Sequence, residues 1–319
     1  MRVRGRLTAA LTGLAVTMSL AGCVTVRGEE AVLPATTEEE AAEALERYAE
    51  IKNEVNPTYD AELNATADAG ALAAINSAGH RARGAVHPEG NPGYVPMAFE
   101  DPEFHIPRQA GWPKHFVVDT ATNRGDDRWL MVFTRDAVTE DWRAAYLLTF
   151  DADEVPRFTR DEEGWAQAVA EDEAEGLAMS PAELAEGYVA YLAEGEGPYE
   201  DGPLTSGERE RREEAGNEAA YVVQYQDSTG GRAHSLPFGL RTEDGAVVFF
   251  SSEHHEKQTW AEGETPVVDE YVEALLEGDA SRSVTTRRMS VQAALLPELE
   301  GEGVEVVSRV FGVVSASGE

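Results

Sequence analysis

A single cysteine in 319 residues, Cys23, limits what this chain can become. It closes the run Leu20-Ala21-Gly22-Cys23, behind a cationic start (Arg2, Arg4, Arg6) and an uncharged stretch from Leu7 to Leu20. That layout is an export signal. The apolar stretch is too short to span a bilayer, which takes about 20 apolar residues. The arginines are separated, which disfavours the twin-arginine route. The exported chain meets an oxidising compartment yet can close no internal disulfide. Its stability has to come from a packed apolar core.

Leu20, Ala21, Gly22 and Cys23 resemble the lipobox of bacterial lipoproteins residue for residue. The resemblance implies diacylglyceryl transfer to the Cys23 sulfur, cleavage before Cys23 and a palmitate-type acylated N-terminus. Two acyl chains anchor stably where one of myristoyl length binds only marginally. The expected location is the outer face of the cytoplasmic membrane, with the membrane as a partner through that diacylglyceryl anchor. The plainer alternative is an ordinary signal peptide with a cysteine near its cleavage site. With Cys23 lipidated, no thiol is left for catalysis. Only Lys52, Lys114 and Lys257 are lysines, against 23 arginines, and Ala, Gly, Val and Glu are abundant. With the lipobox, this bias resembles the uncharacterised lipoproteins of streptomycete-like actinobacteria, a likeness that carries no activity.

Removing residues 1–22 takes away three arginines and no acids, leaving 23 basic against 60 acidic residues and a formal charge of −37. Such an excess keeps a chain soluble and argues against nucleic acid or anionic lipid as a direct partner. Cationic partners or loosely held divalent ions would suit it, and so would a merely solvated acidic surface.

The mature 297 residues are large for one domain. Residues 23–36 read as a tether. Thr37-Glu38-Glu39-Glu40 has capping-box form, and Leu45, Tyr48, Ile51 and Val55 follow at helical spacing until Asn56-Pro57. Two shorter helices are expected between Asp60 and Gly79. Strand patterns follow near 94–106, 115–120, 128–134 and 141–150, the last with Trp142, Ala144, Tyr146, Leu148 and Phe150 on one face. Residues 153–178 form an acidic linker. Ser180-Pro181-Ala182-Glu183 restarts a helix with N-cap, N1 proline and capping-box glutamate, and Ser206–Gly216 reads as a second, mostly solvated one. Strands return at 221–226, 236–241, 246–252, 284–295 and 304–313, with Asp244-Gly245 a hairpin turn. The expected fold is α+β: two domains, 37–152 and 179–319, each with helices followed by a curved antiparallel sheet. This order resembles two copies of an NTF2-like or cystatin-like cone. No βαβ alternation supports a Rossmann fold.

No phosphate-loop, dinucleotide, nucleophile-elbow or zinc-protease motif is present. Glu253-His254-His255-Glu256 looks like a metal cluster, but neighbouring side chains of an extended segment diverge and no partner cluster completes four ligands; it reads as a polar loop after a strand. Residues 104–116 hold no acid in this acidic chain. His105, Arg108, Trp112, Lys114 and His115 offer there a recognition loop for an anionic group, or an ordinary strand connection whose cations pair with nearby acids. Trp129, Phe133, Trp142 and Tyr146 line a ligand pocket if a cone is open, and form core if it is filled. The residues favour a lipid-anchored, non-catalytic binder of an unidentified protein or small molecule, with no metal and no cofactor expected. Two alternatives stand: an acid/base enzyme using His105 or His115 with Asp119, and a passive surface spacer.

Overall fold

Helix α1 (Glu38–Thr58) starts where its cap predicts: Thr37 Oγ1 accepts the Glu40 N–H at 3.1 Å. Glu40 does not close the box. Its carboxylate accepts from Thr36 and pairs with Arg135 at 2.7 Å instead. Pro57 sits in the last turn rather than ending the helix, and left-handed Tyr59 terminates it. Helices α2 (Ala61–Asn64) and α3 (Gly70–Val86) follow. The structure, a computed structural model, describes residues 31–216, 220–229, 237–298 and 302–319.

Short β1 (Leu33–Pro34) precedes α1, and β2 (Phe99–His105) opens a four-stranded antiparallel sheet. Beyond β3 (Arg108–Gln109), the sheet continues with β4 (Lys114–Thr122), β5 (Gly125–Arg135) and β6 (Arg143–Phe150), in the order β2-β4-β5-β6. The alternation expected for the last strand is observed: Ala144, Tyr146, Leu148 and Phe150 are buried, while Thr149 is exposed.

The second half again places helices before strands. After β7 (Ala168–Val169), α4 (Pro181–Glu194) carries the complete predicted capping box, and its stripe of Leu184, Tyr188, Tyr191 and Leu192 is buried. Then come α5 (Ser206–Gly216), β8 (Tyr221–Ser228), β9 (Phe238–Thr242), β10 (Gly245–Trp260), α6 (Glu270–Glu273), β11 (Leu276–Gly278), β12 (Ser283–Pro297) and β13 (Glu305–Gly318). The sheet runs β11-β13-β12-β10-β9-β7, antiparallel except for β11 on β13. β8 pairs with the far half of β10, beyond the end of β9. The β9–β10 hairpin turns through Glu243-Asp244 into Gly245, where φ is +141° and a Cβ would stand 2.0 Å from the Leu296 carbonyl oxygen. Only glycine fits there.

The strand period of two decides what this sheet covers. Val247 and Phe249 of β10 join Met289, Val291 and Ala293 in the larger core, with α1, α3 and the first sheet; Tyr146 meets Phe249 at 5.8 Å between ring centroids. Ala246, Val248 and Phe250 face the other way, into a smaller core under α4. The fold is thus α+β and mostly antiparallel, without a closed barrel. The two halves do not bury their sheets separately: Val32–Glu319 is one compact unit, with a core drawn from both sides of residues 153–178.

That acidic segment is laced down rather than free. Thr159 N–H donates to Arg241 O at 3.0 Å, Arg241 N–H to Gln167 O at 2.8 Å, and Ala166 N–H to Ile106 O at 3.1 Å. Val155, Phe158, Trp165, Ala166 and Val169 supply apolar anchors between the acids. The end of the expected tether is docked too. Leu33 and Pro34 pair with Gln109 and Arg108, and Ala35 and Thr36 are buried.

Candidate functional site

A cleft of about 510 Å³ opens between the helices and the first sheet. Its walls follow from helical spacing: α1 presents Tyr48, Lys52, Asn56 and Tyr59, and α3 presents Leu72, Asn76, His80 and Arg83. Trp129 of β5 and Leu147 of β6 come from the sheet, with Tyr94 and Arg124 from two loops. Ligand pockets commonly measure about 300–1,000 Å³ and combine aromatic walls with a few polar groups.

The polar wiring of the cleft is specific. Lys52, 8 % exposed, donates to Asn64 at 2.6 Å and to Asp68 at 2.9 Å, and Asn76 donates to the same Asp68 oxygen at 2.8 Å. A buried charge is tolerated only when paired in this way. The Tyr48 hydroxyl faces the Asp68 carboxylate, whose Oδ1 has no other partner, and His80 Nδ1 is buried without a hydrogen-bond partner. Burial and the adjacent Asp68 carboxylate push the Tyr48 phenol well above its usual pKa. Burial, with help from Lys52 and Arg83, lowers His80 to about 4, so its imidazole is neutral at neutral pH. At the rim, Arg124 lies 5.1 Å over the Tyr94 ring. Arg83 has no carboxylate partner among the described residues. No acidic residue lines the cleft, although the chain has 60.

Of the four expected pocket aromatics only Trp129 lines it. Phe133 stacks on Phe116 at 5.1 Å, Trp142 meets Phe116 edge-on at 4.7 Å, and Tyr146 is 1 % exposed. These three are core, the filled alternative.

Residues 104–116 do not converge on one point. His105 packs on Phe158 at 4.1 Å, and His115 stacks on Phe238 at 4.7 Å. Burial lowers both imidazoles to about 4. Lys114 turns back onto the Gln109 carbonyl, Arg108 stands 3.9 Å from Glu163, and the Arg135 guanidinium covers Trp112 at 5.5 Å. The backbone of Arg108 and Gln109 is occupied by Leu33-Pro34.

The suggested pair of His105 with Asp119 falls in a three-donor group with Glu103, all donor atoms within 4.8 Å. Arg128 already binds Asp119 at 2.7 Å and Arg160 reaches Glu103 at 3.2 Å, while neither His105 nitrogen makes a hydrogen bond and Nδ1 stands 4.0 Å from Glu103. Burial raises the Asp119 carboxyl above its ordinary range against the pull of Arg128. Three donors sharing their space with two guanidinium groups fall short of the four-ligand shell of a structural zinc site.

Glu253-His254-His255-Glu256 is not a loop: it lies inside β10. His255 and Glu253 pair on one face with Arg287, and His254 and Glu256 look to the other. There Asp227 Oδ1 is 2.5 Å from His254 Nδ1, and His254 Nε2 is 2.8 Å from Ser252 Oγ. The order is that of a nucleophile triad. Ser252 is nevertheless 0 % exposed, and its oxygen accepts from Gln292 at 2.8 Å. Unlike Ser290 opposite it, Ser252 does not line the neighbouring cavity.

Fold and cleft define the class: an α+β protein with a ligand-sized cavity held between two helices and an antiparallel sheet. The chain belongs to the family described as "Domain of unknown function (DUF8094)", which it matches over residues 32–318. It is 44 % identical over 316 residues to an uncharacterized lipoprotein of Streptomyces coelicolor, covering 98 % of this chain and 94 % of that one. An uncharacterized lipoprotein of Streptomyces avermitilis is 41 % identical over 317 residues, with coverage of 98 % and 94 %. No solved structure matches. The relatives are thus uncharacterized Streptomyces lipoproteins, in keeping with the lipobox. Leu20, Ala21, Gly22 and Cys23 lie outside the described residues, among which no helix is long and apolar enough to cross a membrane.

Proposed function

We propose that this protein is a non-catalytic receptor for a small ligand, held by Cys23 acyl chains at the outer face of the cytoplasmic membrane. The observation that carries the reading is an aromatic-walled cleft with a buried, unpartnered polar atom at its wall, His80 Nδ1. A buried polar group without a partner is costly to retain, and a bound ligand supplies the missing bond. Trp129, Tyr59 and Tyr94 suit a flat apolar body, and the rim guanidinium groups of Arg83 and Arg124 suit a negative or acceptor group on it. Lys52, Arg83 and Arg124 line the wall and no acid does among the described residues, which favours an anionic ligand. Catalysis is not needed to explain any residue there.

A thermal-shift screen of small aromatic carboxylates and phosphates on the mature chain tests this. Binders are expected to raise the midpoint in proportion to ligand concentration. Arg83→Glu is expected to abolish the shift by placing an acid at the rim. Hits that stabilise Arg83→Glu equally, or a screen without hits, would favour the passive-spacer alternative.

A further inference from the structure

The polar half of the second sheet carries a separate cavity, of about 260 Å³, beneath α5. Residues paired across the ladders share a face, so the registers show what meets there. Ser252 stands opposite Ser290, which stands opposite Phe311; His254 lies between Asp227 and Arg288; Gln292 is opposite Arg309. α5 lays Glu208 and Arg212 over this face. It was expected to be a mostly solvated helix, yet the side chains of Glu208 and Arg212 are only 4 % and 9 % exposed.

Three guanidinium groups close on Glu208: Arg211 at 2.6 Å, Arg212 at 2.9 Å and Arg309 at 3.1 Å. Arg212 also binds Asp227 at 2.6 Å. Arg288 is different. Its nearest carboxylate, Glu256, is 3.6 Å from Nε, beyond a hydrogen bond, and that buried Nε has no acceptor. Two positions along the same strand, Ser290 is 1 % exposed with its Oγ equally unpartnered. Both residues line the cavity. The local count is four arginines against Glu208, Glu256 and Asp227, one positive charge in excess within a chain of net charge −34.

Two unused buried donors on one strand, where the local charges sum to one positive in excess, lack an acceptor that carries negative charge. We infer that this cavity is a second binding site, for a small oxyanion, gripped by Arg288 and the Ser290 hydroxyl with Arg309 alongside. Guanidinium is suited to carboxylate and phosphate alike, and the volume admits a group of that size. The site is independent of the helix–sheet cleft, so the two assignments stand or fall separately.

Isothermal titration calorimetry of the mature chain with sodium phosphate and with sodium acetate, against sodium chloride at constant ionic strength, decides it. Saturable one-to-one binding of at least one oxyanion is expected. Preference for phosphate marks a tetrahedral ligand, and preference for acetate a planar carboxylate. Arg288→Gln is expected to weaken binding about tenfold or more, the usual effect of losing a charge-assisted bond. Ser290→Ala is expected to weaken it severalfold, while Val138→Ala, at an exposed loop outside both cavities, leaves it unchanged. Absence of saturable binding, or wild-type affinity in Arg288→Gln, would overturn the assignment. Should Arg288→Gln not fold, Ser290→Ala decides, and unchanged affinity in that variant would equally overturn it.

Discussion

Glu208→Gln removes one negative charge from the centre of three guanidinium groups while keeping the side-chain shape. Burial opposes ionisation of this carboxyl, yet Arg211, Arg309 and Arg212 hold its pKa at about 2 against an ordinary 4.5. A depressed carboxylate pKa contributes stability that is full above 4.5 and fades as pH falls toward 2. The shift corresponds to about 3 kcal/mol at pH 7 and to roughly half of that at pH 3. The larger figure agrees with the roughly 3–5 kcal/mol lost when one member of a buried ion pair is removed. For a unit spanning Val32–Glu319, a loss of about 3 kcal/mol lowers the melting midpoint by about 5 °C. Urea denaturation of wild type and Glu208→Gln at both pH values measures the difference directly. The gap is expected to halve from pH 7 to pH 3. An equal gap at both would show that Glu208 acts through packing rather than charge, and would refute the reasoning.

Other outcomes follow from the same contacts. His80, His105 and His115, each lowered by burial to about 4 from an ordinary 6.5, take up protons in the unfolded chain before the folded one. Stability is therefore expected to be full above pH 6.5 and to decline toward pH 4, with imidazole NMR signals that titrate below pH 5. Phe249→Ala, in the second sheet but packed on Tyr146, is expected to cost about 3–5 kcal/mol. Tryptophan fluorescence and far-ultraviolet circular dichroism are expected to report one coincident transition; two would restore separate domains. Cys23→Ala is expected to leave uncleaved precursor or to release the protein into the medium, as membrane fractionation would show.

Much of the fold was legible because local signals agreed. The Ser180 capping box, the alternation of 142–150 and the turn before Gly245 each combine cap or turn chemistry with periodicity. The extent of β10 was not, because 253–259 is polar and lacks an apolar stripe. The length of its neighbour was the available signal: a strand over 284–295 needs a comparably long partner, and β12 pairs with β10 along its full length. The same polarity hid the oxyanion cavity, since charges buried between a helix and a sheet read in sequence as solvated. The helix–sheet cleft was half visible. Trp129 was among its candidates, but the α1 and α3 stripes passed for ordinary helix faces until Lys52 met Asp68 across 16 residues. The shared core escaped for a related reason: helices followed by strands, twice over, suit two domains or one, and contacts such as Phe249 against Tyr146 leave no mark on the sequence pattern.

Native mass spectrometry of the lipid-anchored protein, extracted from its own cells without denaturation, tests the receptor reading most directly. Wild type is expected to carry a reproducible small-molecule mass that is lost in Arg83→Glu and in a cleft-filling Leu147→Trp variant. A wild-type mass equal to the acylated polypeptide alone, or an adduct retained in both variants, would contradict it.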